Sequence, residues 1–238
     1  MSYQPVVAIV GVTGAVGAEF IATMDKRAFP VGKLKALASA RSAGKTIDFR
    51  GKKVVIEELT EKSFEGVDIA LFSAGGGISR KFAPAAVKAG AVVVDNSSAF
   101  RMDPNVPLVI PEINANRIRD HKGIIANPNC SAITALVPLW PIHRQNRIKR
   151  MIISTYQAAS GAGAAAMEEL VESTRAYLDG RPFTPKVIPL PYAFNVFSHN
   201  TAIDPETGYN DEETKVIKET RKIFEDDKIG RASCRERV

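Results

Sequence analysis

The chain has 238 residues, 45% hydrophobic and 24% charged, the balance of an ordinary globular protein long enough to bury a substantial core. No apolar run approaches the length that spans a bilayer, and two cysteines are too few for a disulfide scaffold, so a reducing, cytoplasmic setting without a membrane partner is expected. The net charge of +6 includes +2 from the last nine residues, GRASCRERV, and the rest is spread without a basic run interleaved with aromatics, which argues against nucleic acid and suits a small anionic substrate.

In chain order, Val6–Val10 reads as a continuous apolar strand and Ala15–Arg27 as a helix that Phe29-Pro30 stops. Leu34–Ala38 is the next strand. The stretch KTIDFRGKKVVIEEL predicts a β-hairpin turning at Arg50-Gly51. Asp68–Ser73 follows as a core strand, Arg80–Ala89 as a helix closed by Gly90, and Ala91–Asp95 as another strand. Ile124–Ala126 is a short strand running straight into Asn127-Pro128-Asn129-Cys130-Ser131. This alternation predicts the α/β class, a parallel sheet with crossover helices. After Cys130, Lys149–Tyr156 predicts a long strand, Ala164–Leu178 a helix and Asp179–Pro191 a Pro-rich loop. Asn210 and Glu213 form a capping-box pattern for a last helix, with Val216, Ile217, Ile223 and Phe224 on one face. A second domain starting near residue 133 is expected.

The first strand leads into Gly11-Val12-Thr13-Gly14-Ala15-Val16-Gly17, a G-x-x-G-x-x-G between strand and helix. Such glycines let the backbone approach a pyrophosphate, and the helix N-terminus offers N–H groups and a positive dipole end. A NAD site usually places Asp or Glu at the end of the next strand. Here that end carries Ser39-Ala40-Arg41-Ser42, whose arginine and hydroxyls suit a 2′-phosphate, so NADP is the expected cofactor. No His/Cys/carboxylate cluster has metal-ligand spacing.

In NPNCS, Pro128 fixes a turn and SAITALV has helical propensity, so Cys130 is expected at a helix N-terminus, where a thiol is acidified. A thiolate beside a nicotinamide site suits covalent aldehyde oxidation, in which sulfur adds to a carbonyl and a thioester forms. Free cysteine also packs as an inert apolar residue, and local features leave both readings open.

The chain resembles the aspartate-semialdehyde dehydrogenases. The resemblance runs through VAIVGVTGAVG, SARSAGK, FSAGG, VVDNSSAFRMD, VPLVIPEIN, IIANPNCS, STYQAASGAG and EETKVIKETRKI, over nearly all of residues 5–229. It implies a Rossmann-type NADP-binding domain over 1–132 and part of an α+β catalytic and dimerisation domain over 133–229. It implies reduction of aspartyl phosphate to the semialdehyde with release of phosphate, serving lysine, threonine and methionine synthesis. A homodimer or homotetramer is implied with it. Cys130 matches the nucleophile and Gln157 the glutamine that orients the substrate. Arg101 and Lys215 match cations for the phosphoryl group, Glu212 a glutamate for the substrate's amino group, and Asn129 the phosphate and oxyanion side. Ser73 and Gly75 in FSAGG resemble part of the cofactor site, and Ser160 and Gly161 part of the nicotinamide pocket.

Family members continue beyond the length of this chain, into a segment with an acid/base histidine and an arginine that clamps the substrate carboxylate. His121, His143 and His199 do not match that histidine. The residues after Ile229 show no helical or strand period and no family counterpart, so 230–238, including Cys234, reads as an aberrant tail. The polypeptide as written is therefore expected to be inactive or nearly so, and prone to aggregate. Two rivals are N-acetyl-glutamyl-phosphate reductase, which shares the architecture and thiol chemistry, and a non-catalytic NADP-binding or dimerising module. A glyceraldehyde-phosphate-type dehydrogenase shares the cysteine logic but not the NPNCS motif.

Overall fold

Both faces of β1 (Val6–Val10) are covered, which is why its apolar run is unbroken. Val7 and Ile9 pack on one side with Met24 of α1 (Ala15–Lys26), and with Leu34 and Ala36 of β2 (Lys33–Ala38). Ala8 and Val10 pack on the other, with Phe72 of β5 (Ile69–Phe72) and with Phe82, Ala83 and Ala86 of α2 (Gly76–Lys88). The computed structural model describes residues 3–198 and 201–233. Between β2 and β5 lies the hairpin β3 (Thr46–Phe49) and β4 (Lys52–Glu58); after α2 come β6 (Val92–Asp95), α3 (Pro111–Asn114) and β7 (Ile124–Ala126). These strands form one seven-stranded sheet in the order β3-β4-β2-β1-β5-β6-β7, parallel throughout except between β3 and β4. This is a mixed α/β fold with a Rossmann-like sheet, and β1 lies between the strands that follow it in opposite directions, where such sheets form their ligand crevice.

The hairpin turns where the sequence placed it. Arg50 and Gly51 have φ of 52° and 72°, the left-handed pair that a two-residue turn needs. Arg50 Nη2 also donates to the carbonyls of Met24 and Phe29, tying the hairpin to the end of α1.

Past the sheet, α4 (Cys130–Gln145) and α6 (Asp211–Phe224) pack around β7: Ala126, Ala132, Leu136, Ile223 and Phe224 share one buried cluster. In this half of the chain two expectations differ from the structure. The strand expected over Lys149–Tyr156 is only β8 (Arg150–Ile153), because its pairing ends with its partner. That partner is β9 (Gly230–Ser233), in the stretch expected to be patternless; four backbone pairs in parallel register make it a strand despite its side-chain sequence. Cys234 and His199 lie outside the described residues. Among the described residues no helix is long and apolar enough to cross a membrane.

One buried carboxylate holds the Pro-rich loop. Glu169 of α5 (Ala164–Leu178) accepts the backbone N–H groups of Lys186, Val187 and Ile188 at 2.5, 2.7 and 2.9 Å, and these bonds hold its carboxyl below the ordinary range. A depressed carboxyl contributes stability above its unfolded pKa and loses it as pH falls through the folded one. E169Q is therefore expected to lower the melting temperature by about 2–4 °C near neutrality, with the deficit vanishing in the acid range. Paired thermal melts at the two pH values check this.

Candidate functional site

The C-terminal ends of the parallel strands carry the expected cofactor loop. Gly11 has φ +89°, and a Cβ there would sit 2.6 Å from the Ser73 carbonyl, so the turns after β1 and β5 touch backbone to backbone. Gly14 caps α1, whose first turn begins at Ala15 and Val16 and holds no acidic residue; Thr13 is exposed beside it. Gly75, at φ +87°, turns the chain into α2, which starts four residues before the expected Arg80. At the end of β2, Ser39 and Arg41 are exposed on a short 3-10 turn, and Ser42 is buried. A close backbone approach and a bare helix N-terminus at this edge fit a dinucleotide.

The next strand end carries the thiol. β7 stops at Ala126, and four residues later Cys130 opens α4, exposed and free of any disulfide. Asn129 is the helix cap: its Oδ1 accepts the N–H of Ser131 at 2.8 Å and of Ala132 at 3.3 Å. Its other atoms are held from α6. Asn129 Nδ2 donates to Glu212 Oε1 at 2.8 Å, and Asn129 N–H donates to Glu219 Oε2 at 2.6 Å. Glu212 Oε1 also accepts from Gln157 Nε2 at 3.4 Å, and its Oε2 lies 3.5 Å from Lys215 Nζ. One carboxylate thus gathers Asn129, Gln157 and Lys215 around the turn that presents Cys130.

Arg101 is brought to the same turn and is buried. Its Nε donates to the Asn127 carbonyl, its Nη2 to the Asn96 carbonyl and its Nη1 to Glu219 Oε1 at 3.0 Å. Three of its five N–H donors are so engaged; the other two, one on each Nη, have no partner among the described residues. Side-chain amides continue the line toward the cofactor loop: Asn127 Nδ2 donates to Asn96 Oδ1 at 2.7 Å, and Asn96 Nδ2 to Ser73 Oγ at 3.5 Å. Burial pushes the Glu219 carboxyl above its ordinary value, against the opposing pull of the Asn129 N–H and Arg101.

Glu219, Asn96 and Asn127 were not singled out from the sequence. For Glu219 a signal existed: it lies seven residues after Glu212 and on the face of Val216 and Ile223, a lone charge in an apolar stripe. Other expected residues stand apart. Ser160 and Gly161 lie exposed on a 3-10 turn between β8 and α5. His143 sits at the far end of α4, stacked on Phe224 at 4.6 Å, with Nε2 3.8 Å from Asp226. His121 Nδ1 accepts the Gly123 N–H. A cleft lined by the apolar Met151, Ile153, Val216 and Ile217, and by the charged Glu212, Glu213 and Arg221, adjoins Ser131.

The family model described as "Semialdehyde dehydrogenase, NAD binding domain" matches residues 6–121, and that described as "Semialdehyde dehydrogenase, dimerisation domain" matches residues 139–236. The second match extends to residue 236, within the stretch after Ile229. Fold and site together define an NAD(P)-binding semialdehyde dehydrogenase unit joined to a dimerisation domain. An aspartate-semialdehyde dehydrogenase of Synechocystis is 51% identical over 218 residues, covering 92% of this chain and 64% of the relative. That of Aquifex aeolicus is 51% identical over 234 residues, covering 96% and 68%. The crystal structure of aspartate semialdehyde dehydrogenase II complexed with ASA from Vibrio cholerae superposes with a TM-score of 0.93 at 45% identity, over 96% of this chain and 68% of that one. The chain belongs to the aspartate-semialdehyde dehydrogenase family. It spans about two thirds of the length of these relatives, 64% to 68%.

Proposed function

We propose that this chain carries the thiol and cofactor parts of an NADP-dependent aspartate-semialdehyde dehydrogenase, acting between aspartyl phosphate and aspartate semialdehyde in cytoplasmic synthesis of lysine, threonine and methionine, as a homodimer or homotetramer. The observation that carries the reading is the exposed Cys130 at the mouth of α4, with Asn129 and Gln157 drawn to one carboxylate beside it. In the biosynthetic direction the Cys130 sulfur attacks the acyl carbon, the bond to the phosphate oxygen breaks, and a thioester remains on the protein. The remaining N–H groups of Arg101, with Lys215, would receive the departing phosphate. Glu212 is the anion for the substrate's ammonium, and Gln157 orients the acyl group. NADPH held at the glycine loop would supply a hydride for the thioester carbon, with the Cys130 sulfur as the leaving group when the aldehyde forms.

The glycine loop of Gly11, Thr13 and Gly14 leading into Ala15 and Val16 would hold the pyrophosphate, with Ser73 and Gly75 flanking it; Ser160 and Gly161 would face the nicotinamide. Arg41, with Ser39 and Ser42, would receive the 2′-phosphate. R41A is therefore expected to weaken NADP binding by about tenfold and to leave NAD binding within about twofold. Fluorescence titration with both nucleotides checks this.

Neither described histidine stands at Cys130, since His143 is occupied at the opposite end of its helix and His121 beside Gly123. Slow turnover by this polypeptide is accordingly part of the proposal. Incubation with aspartate semialdehyde, NADP and inorganic phosphate should yield slow NADPH formation and a substrate adduct on the Cys130 peptide, both blocked by prior alkylation. Absence of both signals would overturn the reading.

A further inference from the structure

Glu219 has no part in the reaction just described, yet it is 1% exposed and takes both oxygens to the residues around the thiol. A buried ion pair is a weak source of stability, because an apolar residue of similar volume would fill the space without the desolvation cost. Its use lies in where the bonds go. One oxygen accepts from Arg101 Nη1, and the other from the backbone N–H of Asn129, the residue before Cys130. The same helix holds the main chain of Arg101 as well: Lys222 Nζ donates to the carbonyls of Arg101, Asp103 and Val106 at 2.7, 2.7 and 2.9 Å. Glu212, two turns before Glu219, holds the Asn129 side chain.

We propose that Glu219 is a positioning residue, whose single carboxylate sets the spacing between the Arg101 guanidinium and the turn that presents Cys130. The inference rests on the proposed phosphate role of Arg101. With one oxygen on each partner, neither can shift without stretching a bond to the other. A neutral amide at this position has one acceptor only, so one of the two donors must face an N–H₂ group and turn away.

The test uses the whole 238-residue polypeptide, with inorganic phosphate as the probe and iodoacetamide alkylation followed on the Cys130 peptide by mass. Phosphate seated between Arg101 and the thiol shields Cys130, so the phosphate concentration giving half protection reports the seat without any turnover. E219Q is expected to raise that concentration by about tenfold, and E219D, which keeps the charge on a shorter stem, by an intermediate factor. A merely structural carboxylate would lower the melting temperature and leave half protection of the folded protein unmoved. Equal half protection in the parent and folded E219Q therefore overturns the inference and leaves the proposed function standing. A parent that phosphate does not protect overturns both. If E219Q does not fold, the comparison of E219D with the parent decides by the same criterion.

Discussion

Replacing Cys130 with serine is expected to slow formation of the covalent adduct and of NADPH by about 10³-fold or more, while changing stability by less than about 0.5 kcal/mol. The contrast follows from how the residue is held. Cys130 is exposed, and the turn before it is built by Asn129, whose cap bonds to Ser131 and Ala132 do not involve the sulfur. A hydroxyl fits the same position and leaves every bond of the turn in place. Chemically it is a poor substitute, since a serine hydroxyl needs a base to become a nucleophile and no described histidine stands there. Single-turnover assays at high protein concentration, with urea unfolding of both proteins, separate the two effects. Adduct formation at more than a tenth of the parental rate would remove Cys130 from the nucleophile's role.

Arg101→Leu is expected, by contrast, to lower stability by about 3–5 kcal/mol, because a buried carboxylate is left without its cation. The side chains of Arg101 and Glu219 are 10% and 1% exposed, so water cannot take the place of the missing partner. Burial already holds the Glu219 carboxyl above its ordinary value. For an acid raised in this way the folded state binds the extra proton, so stability falls as pH rises from the unfolded pKa to the folded one. Losing Arg101 widens that window, and the deficit of the variant should grow from acid toward neutral pH. The double change R101L/E219Q should recover most of the loss, since an amide oxygen still accepts from Asn129 N–H while the charge is gone. Urea unfolding across pH would measure all three proteins, and a double variant no more stable than R101L would show that the buried charge is not the cause.

The sheet was legible because its signals are local. An unbroken apolar strand, a glycine loop, a two-residue turn and a helix cap each occupy a few consecutive residues, and each is found where the pattern put it. Asn210 caps its helix, and the Asn210–Glu213 box is reciprocal at 2.8 and 2.9 Å. Cys130 and its helix end belong to this class, as does the position of Arg41. The extent of β8 and the existence of β9 do not, because a strand's length is set by its partner, and that partner is far along the chain. Glu219 was missed for the same reason. Its charge on an apolar helix face was visible, but that it meets Arg101 and Asn129 is a property of packing. The grouping of Gln157, Glu212 and Lys215 came from family resemblance; their common carboxylate came from geometry.

That packing also fixes when the thiol acquires its surroundings. The bonds from Glu219 close loops of 118 residues to Arg101 and 90 to Asn129, and Glu212 reaches Asn129 across 83. Contacts so distant in sequence are the slow ones to form, because loop-closure entropy is lost before any bond is gained. The glycine loop, by contrast, is completed by pairing between β1, β2 and β5 within the first third of the chain. During folding the dinucleotide edge is therefore expected to form ahead of the contacts around Cys130, which wait for α6 to dock.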